Sequence, residues 1–117
     1  MTLQGNIQNS EASNCSLKEG YPGDEYVDVI SVDVYLKEYV ATDYRTEYEE
    51  LVNNTTRNKV AALAEIGYLP DMKMLEKSNV PWAYFMLWSK EFCIGEKYNT
   101  RESLKAVYNS DYAIICQ

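Results

Sequence analysis

The sequence predicts an α/β domain with a parallel sheet, and three observations carry that expectation. Residues 26–35 (YVDVISVDVY), 60–66 (VAALAEI) and 80–88 (VPWAYFMLW) are short β-branched, apolar or aromatic runs bounded by turn formers, as strands are. Helix-like stretches at 43–54, 72–77 and 100–108 follow them one for one, and strand alternating with helix implies right-handed crossovers between parallel strands. The run VAALA lacks strict alternation, the habit of a strand buried on both faces under helices.

Taken in order, residues 1–25 are polar, with Gly5, Gly20 and a Tyr21-Pro22-Gly23-Asp24 turn, and read as loop. Within 26–35, counting by twos sets Ser31, Asp33 and Tyr35 on one face and Ile30, Val32 and Val34 on the other, which suits packing against helices. In 43–54, Thr42 or Asp43 can cap, Tyr44, Tyr48, Leu51 and Val52 fall near helical spacing, and Glu47, Glu49 and Glu50 make a solvated face. The next strand, 60–66, ends on one carboxylate, Glu65, and strand carboxyl ends are where α/β sheets bind ligands and place chemistry. The plainer role for Glu65 is a strand-end charge paired with a nearby cation. After a short helix at 72–77 comes a strand near 82–88, since Pro81 is tolerable only at its start, with Tyr84, Met86 and Trp88 on one face. Leu63 is expected to join Tyr84 and Met86 on the inner face. Thr100 caps the closing helix, whose buried stripe would be Leu104, Val107 and Tyr108.

Composition limits what these elements can belong to. A chain of 117 residues, 46% hydrophobic and 25% charged, supports one small core but not a complete barrel enzyme. Eighteen acids against eleven bases give a net charge of -7, which repels phosphate backbones and anionic lipid, so neither nucleic acid nor membrane is expected as a partner. No apolar run approaches the roughly 18–20 residues of a membrane span, and MTLQGNIQNSEASN lacks a signal-peptide layout, so no export address is expected in the chain as given. There is no histidine, which excludes a Cys/His zinc module and any Ser-His or Cys-His mechanism. The three cysteines, Cys15, Cys93 and Cys116, are widely spaced, and an odd count argues against a disulfide framework. No metal or cofactor is expected. The ionisable groups left for chemistry are carboxylates, lysines, tyrosines and thiols; among these Asp and Glu are the usual choice for hydrolysing sugars, while phosphate chemistry would want a Gly-rich loop that the sequence lacks.

Asp33 and Tyr35, Glu65, and Trp88 each close a different strand, and parallel strands bring such ends side by side. A carboxylate flanked by a phenol and an indole suits a sugar, because the indole face stacks on C–H groups and the phenol hydrogen-bonds the carboxylate. Taken singly, Tyr35 and Trp88 read as core filling.

YPGDEYVDVISVDVY, VAALAEIGY and YFMLWSKEF followed by SLKAVYNSDYAI resemble, in order and spacing, the last three strand units of glycoside hydrolase family 26, the β-mannanases. The likeness runs from about residue 20 to residue 114, and TLQGN resembles the loop after that family's fifth strand. It implies a partial (β/α)8 TIM barrel, with residues 1–117 the C-terminal portion of a family 26 catalytic domain. It also implies a retaining endo-β-1,4-mannanase with Glu65 as nucleophile, Tyr35 as its hydrogen-bond partner and Trp88 as part of the sugar platform. Ser89 stands where many members follow that Trp with Arg. The family's acid/base Glu belongs to a fourth strand that this sequence does not contain, so the chain alone is expected to be inactive and only marginally stable. The implied partners are a β-mannan or related β-glycan and the missing barrel portion, and the parent enzyme is expected to be secreted or at the cell surface. The competing reading is a non-catalytic carbohydrate-binding or structural remnant of a barrel.

Overall fold

The structure, a computed structural model, describes residues 2–3 and 17–114. Four strands form one sheet in chain order, all parallel: β1 (Thr2–Leu3), β2 (Val29–Val34), β3 (Val60–Ile66) and β4 (Trp82–Leu87). Helices α1 (Leu17–Gly20), α2 (Arg45–Asn54), α3 (Met72–Ser78) and α4 (Arg101–Tyr108) lie between or after them. The parallel α/β architecture is thus the one the sequence implies. Residues 1–25, read as loop, contain β1, α1 and a 3₁₀ turn at Asp24–Tyr26, and the second strand begins at Val29 rather than at residue 26. The first two residues of TLQGN are therefore strand, while Cys15 and Cys116 lie outside the described residues.

Ile30, Val32 and Val34 of β2 are fully buried and pack with Leu63 and Ile66 of β3, with Tyr44 just ahead of α2 and with Leu51 and Val52 of α2. Each such side chain contributes on the order of 1.5–3 kcal/mol relative to exposure. A second cluster gathers Leu69, Met72, Leu75, Val80 and Val107 under α3 and α4, and Trp82, Phe85 and Leu87 of β4 touch both clusters, so the helices share one side of the sheet. Leu63 belongs to this helix side, not to the inner face with Tyr84 and Met86. The reason is an extra residue in β3: Val32 pairs with Leu63 but Asp33 pairs with Glu65, so Ala64 and Glu65 together oppose one step of β2. A matching irregularity in β4, where Ala61 pairs with Trp82 and Leu63 with Phe85, turns Phe85 and Leu87 to the helices and leaves Tyr84 and Met86 exposed on the other face.

The helix starts follow local chemistry. Asp71 Oδ1 accepts from the Met74 N–H at α3, and Thr100 Oγ1 accepts from the Ser103 N–H at α4. At α2, Thr42 Oγ1 accepts from the Tyr44 N–H and Asp43 Oδ1 from the Arg45 N–H, while Tyr44 itself takes a left-handed conformation (φ 57°). Two expected faces differ. Glu47 is buried rather than solvated, at the edge of a cleft that Leu36, Val40 and Thr42 also line, and Tyr108 is exposed because α4 is covered only along Leu104 and Val107.

Candidate active site

The extra residue in β3 decides where the carboxylate goes. Under strict alternation Glu65 would share the face of Ala61 and Leu63 and lie beneath the helices; the bulge restarts the count and sets Glu65 beside its register partner Asp33. Tyr35 follows β2 directly, and its Oη donates to Glu65 Oε2 at 2.8 Å. Among the described residues Glu65 makes no ion pair, so the plain strand-end pairing with a cation is absent there.

The three groups perturb one another. Asp33 Oδ1 is buried with no hydrogen-bond partner among the described residues, and burial first, then the neighbouring Glu65 charge, pushes its carboxyl above the usual carboxylate range. Burial also pushes the Tyr35 phenol well up, and the bond to Glu65 and the charges of Glu65 and Asp33 add to it. Tyr35 is therefore held as a proton-bearing donor across the ordinary pH range. It fixes one carboxylate oxygen of Glu65, while Oε1 makes no hydrogen bond among the described residues. Such a carboxylate is oriented for attack on, or close contact with, a ligand at the strand ends.

Trp88 follows β4, its N–H donating to the Ile66 carbonyl at 2.9 Å, so it sits one strand over from Glu65 with its side chain partly exposed. The structure thus bonds Tyr35 to Glu65, sets Asp33 beside Glu65 in register and puts Trp88 at the neighbouring strand end. Glu91 is exposed and lies 3.8 Å from Lys97. Cys93 is exposed and free, its Sγ 3.0 Å from the Trp88 carbonyl oxygen. Among the described residues no group of three or more metal-ligating side chains is assembled.

Three further residues shape the strand ends, and the sequence reading missed them. Phe92 packs its ring against Tyr35, with centroids 5.6 Å apart. Gly67 makes that possible, since a Cβ there would lie 3.0 Å from Phe92 Cε1 and 3.1 Å from Tyr35 Cδ1. Asn99, buried, accepts from the Leu69 N–H at 2.8 Å and donates to the carbonyls of Gly67 (2.8 Å) and Phe92 (3.0 Å). Gly67 carried the one available signal, a glycine directly after a strand; Asn99 sits in a polar stretch with nothing local to single it out.

Comparison with known proteins adds the following. The family model described as glycosyl hydrolase family 26 matches residues 6–117. A mannan endo-1,4-β-mannosidase of Thermothelomyces thermophilus is 35% identical over 94 residues, covering 80% of this chain and 19% of that protein. The crystal structure of the family 26 β-(1,4)-mannanase of Podospora anserina superposes with a TM-score of 0.72 at 33% identity, covering 86% of this chain and 22% of that one. A β-mannanase from a symbiotic protist of the termite Reticulitermes speratus, complexed with gluco-manno-oligosaccharide, gives 0.68 at 26% identity, covering 97% and 32%. The chain spans about a fifth of the length of the mannosidase it matches.

Proposed function

The chain belongs to glycosyl hydrolase family 26, and from that premise we propose that it is the C-terminal portion of a retaining endo-β-1,4-mannanase, its strands being the last units of a (β/α)8 barrel. The observation that carries this reading is the 2.8 Å bond from Tyr35 to Glu65, formed at the carboxyl end of a parallel strand beside an Asp33 oxygen that has no hydrogen-bond partner among the described residues. In this reading Glu65 attacks the anomeric carbon of a β-mannosyl unit. A glycosyl ester forms as the glycosidic C–O bond breaks, and the departing oxygen takes a proton from an acid outside this chain. Water, deprotonated by that same group, then displaces Glu65 and releases the sugar. Tyr35 holds the attacking carboxylate by one oxygen, and the half-exposed Trp88 ring offers an apolar face to the sugar. The mannan of the Thermothelomyces mannosidase and the gluco-manno-oligosaccharide bound to the protist enzyme support β-mannan as the class.

The open side of the sheet supports the fragment reading. Among the described residues β4 pairs on one side only, and beside it a groove of about 910 Å³, lined by residues such as Val80, Tyr84, Met86, Val107 and Tyr112, offers an apolar bed for further barrel units. Retaining hydrolysis needs a second carboxyl roughly 5–5.5 Å from the first as proton donor, with general-acid assistance worth about 10²–10⁴-fold; in this reading that donor is the Glu of the family's fourth strand and not the neighbouring Asp33, so the chain by itself should release no reducing ends from galactomannan.

The test joins the chain to the missing barrel portion of a family relative and exposes it to a fluorinated mannosyl donor. Mass spectrometry should find the sugar on Glu65, and Glu65→Gln should lower turnover by orders of magnitude while sugar binding persists. A label on another residue would overturn the assignment.

A further inference from the structure

Beyond the groups that would meet substrate, the geometry points to Asn99 as a positioning residue for the Tyr35–Glu65 pair, acting through Gly67 and Phe92. The inference rests on the reading of Glu65 as the attacking group for its catalytic meaning, but not for its physical content. Asn99 opens the turn into α4, far in sequence from β3, yet its side-chain amide spends three of its four hydrogen-bonding positions on the loops after β3 and β4. Only one orientation of that amide fits, because a backbone N–H at Leu69 requires its oxygen and two carbonyls, at Gly67 and Phe92, require its nitrogen.

Those two carbonyls belong to the residues that wedge Tyr35. Gly67 lies against the Tyr35 ring, so close that even a methyl group would have to displace it, and the Phe92 ring closes the other part of the same contact. Phe92 in turn stacks on Tyr98 at 4.4 Å, the residue before Asn99. Neither Gly67 nor Phe92 has a polar side chain to hold it, and the Asn99 clamp joins their backbones directly. Moving either one shifts the Tyr35 ring, and with it the phenol that holds Glu65 Oε2. Hydroxyl and carboxylate must stay within about 3.0 Å for a good bond, so small displacements decide it.

The test is carried out on the full 117-residue chain with ¹³C-labelled glutamate and tyrosine, the Glu65 carboxylate and Tyr35 phenol signals being assigned with Glu65→Gln and Tyr35→Phe. Asn99→Asp keeps the acceptor for Leu69 but loses both donors. It should move the Glu65 carboxylate signal toward its position in Tyr35→Phe and lower the pH at which the Tyr35 phenol ionises. Phe92→Leu leaves the clamp intact and removes the ring; it should move both signals in the same direction, and it keeps the test open if Asn99→Asp does not fold. Lower thermal stability with both signals at their wild-type positions in the folded protein would make Asn99 merely structural and overturn the proposal. A mannosyl label found elsewhere than Glu65 in the completed barrel would remove the attack reading and leave the predicted signal shifts unaffected, so the two failures are distinguishable.

Discussion

Strands β2 and β3 and strand β4 are built from similar apolar runs but live in different surroundings. Ile30, Val32, Val34, Leu63 and Ile66 are fully buried under α2, whereas Tyr84, Met86 and Trp88 are between two-fifths and just over half exposed. At the carboxyl ends the β2–β3 side is laced to its loops: the Tyr44 hydroxyl donates to the Tyr68 carbonyl, the Asp71 N–H to the Thr42 carbonyl, and Asn99 holds Gly67 and Leu69. The non-helix face of β4 has no such cover, and its outer edge pairs with nothing among the described residues. Apolar sequence states what a strand is suited to bury, and its neighbours decide what it does bury. The 80–88 run is the more aromatic, yet it is the one whose non-helix face is left in water.

The largest expected effect contrasts the two sides directly. Leu63→Ala should cost about 2–5 kcal/mol in urea denaturation, because it empties a fully buried position between β2, β4 and α2. Met86→Ala, on the exposed face, should stay within about 0.5 kcal/mol of wild type. Equal losses at the two positions would mean that β4 is covered in solution.

Tyr44→Phe probes the lacing at the strand ends. It leaves the buried Tyr68 carbonyl without its donor and should cost about 1–3 kcal/mol by the same measurement. Tyr84→Phe removes a hydroxyl from the open face and should be silent by comparison.

The smallest effect depends on pH. Because the Asp33 carboxyl is raised by burial and by Glu65, the folded chain holds that proton more tightly than the unfolded one. Its contribution to stability is therefore fully present below the ordinary carboxylate pKa of about 4 and is lost as pH rises through the raised value. Asp33→Asn should accordingly be the more stable protein at neutral pH, with the gap closing as the solution is acidified past about pH 4. Thermal melts across that range measure it, and a gap that widens on acidification would contradict the assignment.

Much of this arrangement was legible in the sequence, for reasons that differ residue by residue. Strand 60–66 was bounded by polar residues before it and Gly67 after it, and Thr100 announced its cap three residues ahead of Ser103. The adjacency of Tyr35 and Glu65 followed from two strand ends in a parallel sheet. The face of Leu63 was not legible, because a bulge is a property of pairing register and leaves no mark in one strand's own pattern. Glu47 was misplaced because its burial is a tertiary property that helical spacing alone does not show, and Thr2–Leu3 is too short a strand to carry periodicity. Asn99 could not be found by local reading at all, since its partners lie as much as 32 residues away.

The strict chain order of the sheet has a kinetic side. Each strand pairs with its immediate predecessor, so Val32 meets Leu63, and Leu63 meets Phe85, after closure of a single crossover. Loop-closure entropy grows only with the logarithm of length, and no pairing has to wait for a distant segment to thread into place. The Asn99 clamp is different: its bonds can form only once β3, the turn at Phe92 and the start of α4 are all in position. Pairing through single crossovers lets assembly run unit by unit along the chain, with the Asn99 clamp closing only after those three segments have met.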